Sequence, residues 1–71
     1  KIDIKEEEQK LIIEIAKNPK NAKLYKEIGE LYVKTRELGD ARESFKKALE
    51  LDSSDSEVEE KLKSLSMKGG V

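Results

Sequence analysis

The sequence predicts an all-α fold of about four helices, and three observations carry that expectation. Apolar residues recur at spacings of three and four in four separate segments. The alternating runs of Val, Ile and Thr that mark strands are missing. Helix-breaking residues are few and fall between the periodic segments: Pro19 is the single proline, and glycines stand only at 29, 39, 69 and 70.

The first helix is expected over roughly Asp3 to Lys17, with Ile4, Leu11, Ile12, Ile15 and Ala16 apolar. Asn18-Pro19 closes it, because proline disfavours helical backbone at the residue before it. The second runs from Ala22 to about Thr35, with Asn21 placed to cap its N-terminus and Leu24, Tyr25, Ile28, Leu31 and Tyr32 as its apolar face. Gly29 interrupts it, at a cost of roughly 1 kcal/mol relative to Ala, so tight packing there is expected to offset the loss. The third spans about Leu38 to Leu51 and offers Leu38, Ala41, Phe45, Ala48 and Leu49. The fourth follows Ser53-Ser54-Asp55, where Ser54 and Glu57 have capping-box spacing. It presents Val58, Leu62 and Leu65 and is expected to dissolve at Gly69-Gly70.

Composition narrows the function classes. The chain is 35% apolar and 44% charged, and the apolar periodicity argues for thin-cored helices over disorder. With 15 basic and 16 acidic residues the formal net charge is -1, so no nucleic acid and no anionic membrane is expected as partner. The absence of Cys and His removes disulfides, thiolate metal sites and imidazole catalysis together. The longest apolar cluster, Leu11-Ile12-Ile13, is closed by Glu14 and is far too short for a membrane span. Because the chain begins at Lys1 rather than Met, a processed protein or a piece of a longer one is expected. A signal or anchor can then lie upstream, and the compartment stays open with the cytoplasm as default.

Sliding the chain by 34 residues against itself exposes an internal repeat. Ile4 falls on Leu38, Leu11 on Phe45, Ile15 on Leu49, Leu24 on Val58, Ile28 on Leu62, Leu31 on Leu65 and Val33 on Met67. Pro19 lands on Ser53, so the links between helices coincide as well.

With Tyr25, Ile28, Gly29 and Tyr32 in one helix, and Ala41, Phe45 and Ala48 small-large-small in the next, the chain resembles a tetratricopeptide repeat (TPR) over Ala22 to Asp55. A generic helical bundle is the plainer alternative. The resemblance implies an antiparallel helix pair in a short right-handed superhelical stack. Residues 1–21 would then be a preceding half repeat, 22–55 the complete repeat, 56–68 a C-terminal capping or half-repeat helix and 69–71 a tail. Gly29, Ala41 and Ala48 would let helices approach closely while Tyr, Ile and Phe fill the gaps around them.

Three departures from the family pattern bear on the packing. Ser53 stands where the family often has Pro, and Arg36 where the turn usually has Gly. Gly39-Asp40 offers a competing turn, with Asp40 and Glu43 spaced as a cap, but the distance from Tyr32 to Ala41 favours a turn around Thr35 to Glu37. Glu7 and Glu14 occupy the slots of Ala41 and Ala48, so the first helix should dock less closely and act as a weak half repeat or terminal cap. One repeat between two halves should be marginal alone, since stable arrays generally need about three.

Nothing in the sequence assembles an enzyme. Glu6-Glu7-Glu8 and Glu57-Glu59-Glu60 read as solvated helix-surface acids, and no calcium-loop spacing or Gly-rich phosphate loop occurs. The serines lack a base to activate them, and Lys46-Lys47 sits among acids as a surface pair. No catalytic residue, cofactor or metal is expected.

Proteins resembling this family bind peptides in a groove lined by the first helix of each repeat. That implies a partner-binding face of Lys23, Lys26, Glu27, Glu30, Val33 and Lys34, which are also largely the residues left outside the apolar stripe. Glu27 and Glu30 would repel the carboxylate-rich tails that some relatives clamp, so a mixed-charge protein or peptide partner is expected, its acidic side near Lys23, Lys26 and Lys34. The alternative is a structural spacer or self-assembling element, a homo-oligomer. It would stack through Val58, Leu62 and Leu65 at one outer face and Leu11, Ile12, Ile13 and Ile15 at the other.

Overall fold

The computed structural model describes residues 3–69 and contains four helices: α1 (Ile4–Lys17), α2 (Ala22–Lys34), α3 (Leu38–Leu51) and α4 (Ser56–Gly69). No strand occurs among the described residues. The expected tail is shorter than the sequence suggests: Gly69 closes α4, and Gly70 and Val71 lie outside the described residues.

Three of the helices begin where a short polar side chain satisfies a first-turn amide, while α3, with Glu37 at its N-cap position, has no side-chain cap. Asp3 accepts from the Lys5 N–H at 3.2 Å and Asn21 from the Lys23 N–H at 3.1 Å. At α4 the cap is one residue later than the capping-box spacing suggests. Asp55 Oδ1 accepts from the Glu57 N–H at 3.1 Å and the Val58 N–H at 3.3 Å. Ser54 instead donates its hydroxyl to Asp52 Oδ1 at 2.7 Å, and Glu57 turns toward α2. An ionised carboxylate facing the N-terminal end of the helix dipole competes well against a hydroxyl for this position.

The α2–α3 turn falls on Thr35, Arg36 and Glu37, as the spacing favours, and Gly39 lies inside α3 with open space around it. Arg36 takes φ 67°, the left-handed conformation for which glycine is usual. Its N–H bonds to the Val33 carbonyl at 3.1 Å, and the next N–H, of Glu37, reaches back to the Tyr32 carbonyl at 2.9 Å. These two bonds form a Schellman closure, which offsets part of the strain of a side chain at positive φ.

α2 packs most extensively on α3, α4 on α3, and α1 on α2. The central cluster is Ala41, Phe45, Ala48 and Val58, with Tyr25, Tyr32, Leu49, Leu62 and Leu65 packed around it. Leu24, Ile28 and Leu31 supply further buried positions on α2. Gly29 finds its reason here: a Cβ at that position would sit 2.7 Å from Phe45 Cε1 and 2.9 Å from Cδ1. The expected close approach is therefore between the α2 backbone and an aromatic edge of α3. Phe45 is 0% exposed, so its ring has nowhere to retreat.

The two ends differ from one another. α1 has no buried residue and leaves Ile13 53% and Ile12 41% exposed, in keeping with the weak docking expected from Glu7 and Glu14. Val58 of α4 is 0% exposed, and Leu62 and Leu65 pack inward on the same cluster. Val58 therefore cannot contribute to an outer apolar face, while Leu62 and Leu65 remain partly exposed. The helix turned toward Phe45 to cover a core that α2 and α3 leave open.

The offset of 34 also governs the backbone. Ile4 and Leu38 start helices, Lys17 and Leu51 end them, and Ala22 and Ser56 start the next pair. The N-caps Asn21 and Asp55 stand at the same offset and use the same bond to the second residue on.

Candidate interaction surface

One side of α2 borders three adjoining clefts, and together these take in all six residues expected to meet a partner. Between α1 and α2 lies a cleft containing Glu27, Glu30 and Lys34, walled by Glu6, Glu7, Lys10 and Leu11. A second, at the N-terminal ends of α2 and α4, holds Lys23, Lys26, Glu27 and Glu30 with Asp52, Asp55 and Glu57. The third, toward the C-terminal ends of the same helices, is lined by Glu30, Val33, Lys34, Phe45, Lys61, Ser64 and Leu65.

Helical spacing explains the common face. Lys23, Glu27, Glu30 and Lys34 are separated by four, three and four residues, which stacks them along one edge of α2. Leu24, Ile28 and Leu31 take the adjoining buried stripe.

Ion pairs tie this face to α4 and change how two of its charges can act. The Lys26 ammonium contacts Asp55 Oδ2 at 3.3 Å and also the Glu57 carboxylate. Its pKa is raised, chiefly by the hydrogen bond to Glu57, against an opposing effect of burial. Asp55 is lowered mainly by the Val58 N–H it accepts from, with Lys26 adding to the effect. Glu57 is lowered mainly by its hydrogen bond from Lys26. Lys26 is thus ion-paired within the protein, to Asp55 and Glu57. Glu30 is likewise matched by Lys61 at 3.4 Å. Lys23, Glu27 and Lys34 are exposed and enter no ion pair among the described residues.

Two tyrosines brace the scaffold beneath. The Tyr25 hydroxyl donates to the Pro19 carbonyl at 3.0 Å, fixing the α1–α2 connection to α2. Tyr32 has a raised pKa, first from burial and then from the Glu8 carboxylate. Each therefore presents an apolar body to the core and a polar tip to the surface.

The partners that α4 contributes stand apart from the six in the sequence, yet the repeat offset points to them. Adding 34 to Lys23, Glu27 and Glu30 gives Glu57, Lys61 and Ser64, all of which line these clefts. Asp52 and Asp55 carry no such cue, because their part in the cleft follows from how the connection folds over α2.

No cluster of three or more metal-ligating side chains occurs among the described residues, and every buried side-chain nitrogen or oxygen there has a hydrogen-bond partner. No helix among them is long and apolar enough to cross a membrane. Comparison of the chain with protein-family models, with curated protein sequences and with solved structures found no match.

Proposed function

We propose that this chain is a protein-interaction module of tetratricopeptide-repeat type. Residues 22–55 form its complete repeat, and α1 and α4 act as flanking half repeats in a short superhelical stack. The recurrence of helix starts, helix ends and N-caps at one offset of 34 supports the repeat assignment. A bundle of unrelated amphipathic helices has no physical reason to reproduce its connections at a fixed period. The binding reading is carried by one observation: Lys23, Lys26, Glu27, Glu30, Val33 and Lys34 line three clefts along a single side of α2. A peptide or protein segment laid along that side meets charge and apolar surface without any rearrangement of the core.

Selection of a displayed random-peptide library on the immobilised chain, followed by amide chemical-shift mapping, tests the reading. Selected peptides should perturb α2 and α4, and Glu27→Lys should shift the charge of the peptides selected while circular dichroism stays unchanged. Perturbations confined to the outer face of α1 would overturn it.

A second reading is self-assembly, favoured by the apolar surface that Ile12 and Ile13 leave on α1. Sedimentation across a concentration range separates the two, since a monomer throughout is incompatible with assembly.

A further inference from the structure

The clefts along α2 are not uniform in charge, and the gradient defines what would fit them. At the N-terminal end, Glu27, Asp52, Asp55 and Glu57 stand with the ammonium groups of Lys23 and Lys26. Lys26 already answers Asp55 and Glu57, and carboxylates remain in excess. At the other end the lining changes in character. Val33 and Leu65 give an apolar cleft above the fully buried Phe45 ring, Glu30 and Lys61 cancel one another at 3.4 Å, and Lys34 stands on the rim with no ion pair among the described residues. Val33 is 39% exposed in this cleft, an apolar side chain held beside a lysine.

We propose, building on the interaction-module reading, that the face takes an extended peptide whose apolar side chain enters the cleft between Val33 and Leu65, above the buried Phe45 ring. An acidic residue beside that anchor meets Lys34, and a basic residue about three positions away meets Glu27. The spacing follows from geometry. Glu27 and Lys34 are seven residues apart along one edge of α2, about 10.5 Å at 1.5 Å per residue. Extended chain rises about 3.3 Å per residue, so three to four residues cover that distance. The charge order follows from complementarity: the opposite order would place like charges at both ends of the cleft, and juxtaposed like charges disfavour a partner more reliably than matched ones add affinity. This arrangement narrows the acidic side of the expected mixed-charge partner from Lys23, Lys26 and Lys34 to Lys34.

The test uses two capped peptides, Gly-Lys-Ala-Ala-Leu-Asp-Gly and its charge-swapped form Gly-Asp-Ala-Ala-Leu-Lys-Gly, titrated into the isotope-labelled chain. The swapped form places lysine beside the leucine whichever way the peptide runs. The first should bind with a dissociation constant on the order of 0.1 mM, and about tenfold more tightly than the second, with the amides of Val33, Lys34 and Leu65 shifting most. Lys34→Glu should abolish or invert that preference while the helical circular dichroism is kept. Equal binding of the two peptides, or shifts that avoid Val33 and Leu65, would overturn the proposal. If neither peptide binds, the proposal also fails, and the library selection then judges the underlying reading separately. Selected peptides of another charge order would retain an interaction module with a different ligand, whereas none at all would remove both.

Discussion

α1 and α4 are each 14 residues long and each packs against one side of the α2–α3 pair, yet they are bound to it in opposite ways. α1 is the more apolar in sequence, with Ile4, Leu11, Ile12, Ile13, Ile15 and Ala16, and none of its residues is buried. α4 is poorer in apolar side chains, and its Val58 is 0% exposed. Burial followed the shape of the contact rather than the apolar count. α4 meets α3 where Ala41 and Ala48 flank Phe45, a contour into which Val58 and its neighbours fit. α1 brings Glu7 and Glu14 at the corresponding positions, and its Ile12 and Ile13 face solvent.

The largest test of this contrast is a charge on each side. Ala48→Glu should unfold the α2–α3–α4 core, because an unpaired carboxylate between packed helices costs several kcal/mol, comparable with the whole stability of so small a domain. Ile13→Glu should change stability by less than about 0.5 kcal/mol, as surface substitutions do. Thermal unfolding by circular dichroism reads both. A stable Ala48→Glu variant would invalidate the repeat assignment, and an equally damaging Ile13→Glu would erase the distinction between the two ends.

A smaller effect is expected inside the core. Gly29→Ala gains about 1 kcal/mol of helix propensity but drives a methyl group to 2.7 Å from the Phe45 ring. Overpacking of this kind costs typically about 1–3 kcal/mol, so a net loss of about 1 kcal/mol is expected in denaturant unfolding. A more stable variant would mean that the α2–α3 contact yields easily, against the view that Phe45 is locked.

The smallest effect concerns pH and belongs to the α4 side. The folded state depresses the Asp55 pKa, chiefly through the Val58 N–H. A depressed carboxylate contributes stability that is present above its unfolded pKa of about 3.9 and lost as pH falls through the folded value. Acidification below about pH 4 should therefore loosen the start of α4, read as earlier hydrogen exchange there. Asp55→Asn, which keeps a capping oxygen without the titrating proton, should flatten that dependence.

Much of the fold was legible because helices announce themselves locally. Apolar spacing, Asn18-Pro19 and the N-cap at Asn21 are read within a few residues, and the observed boundaries lie close to those they imply. The α4 cap was displaced by one residue because Ser54 and Asp55 are both competent. Only the path of the Asp52–Asp55 connection decided between them. The six cleft-lining residues came from the family resemblance, and helical spacing alone could only place them outside the buried stripe of α2.

By itself, then, the sequence determined four helices, their 34-residue phasing and the requirement for a small residue at position 29. Tertiary structure alone decided that Gly29 faces the edge of Phe45, that Lys26 is held by Asp55 and Glu57, and that α4 turns its apolar residues inward. The physical reason is range. Periodicity and capping act between residues three or four apart in the chain, where the helix sets their geometry. A buried ring or a neutralised ammonium depends on groups brought together across helices by packing.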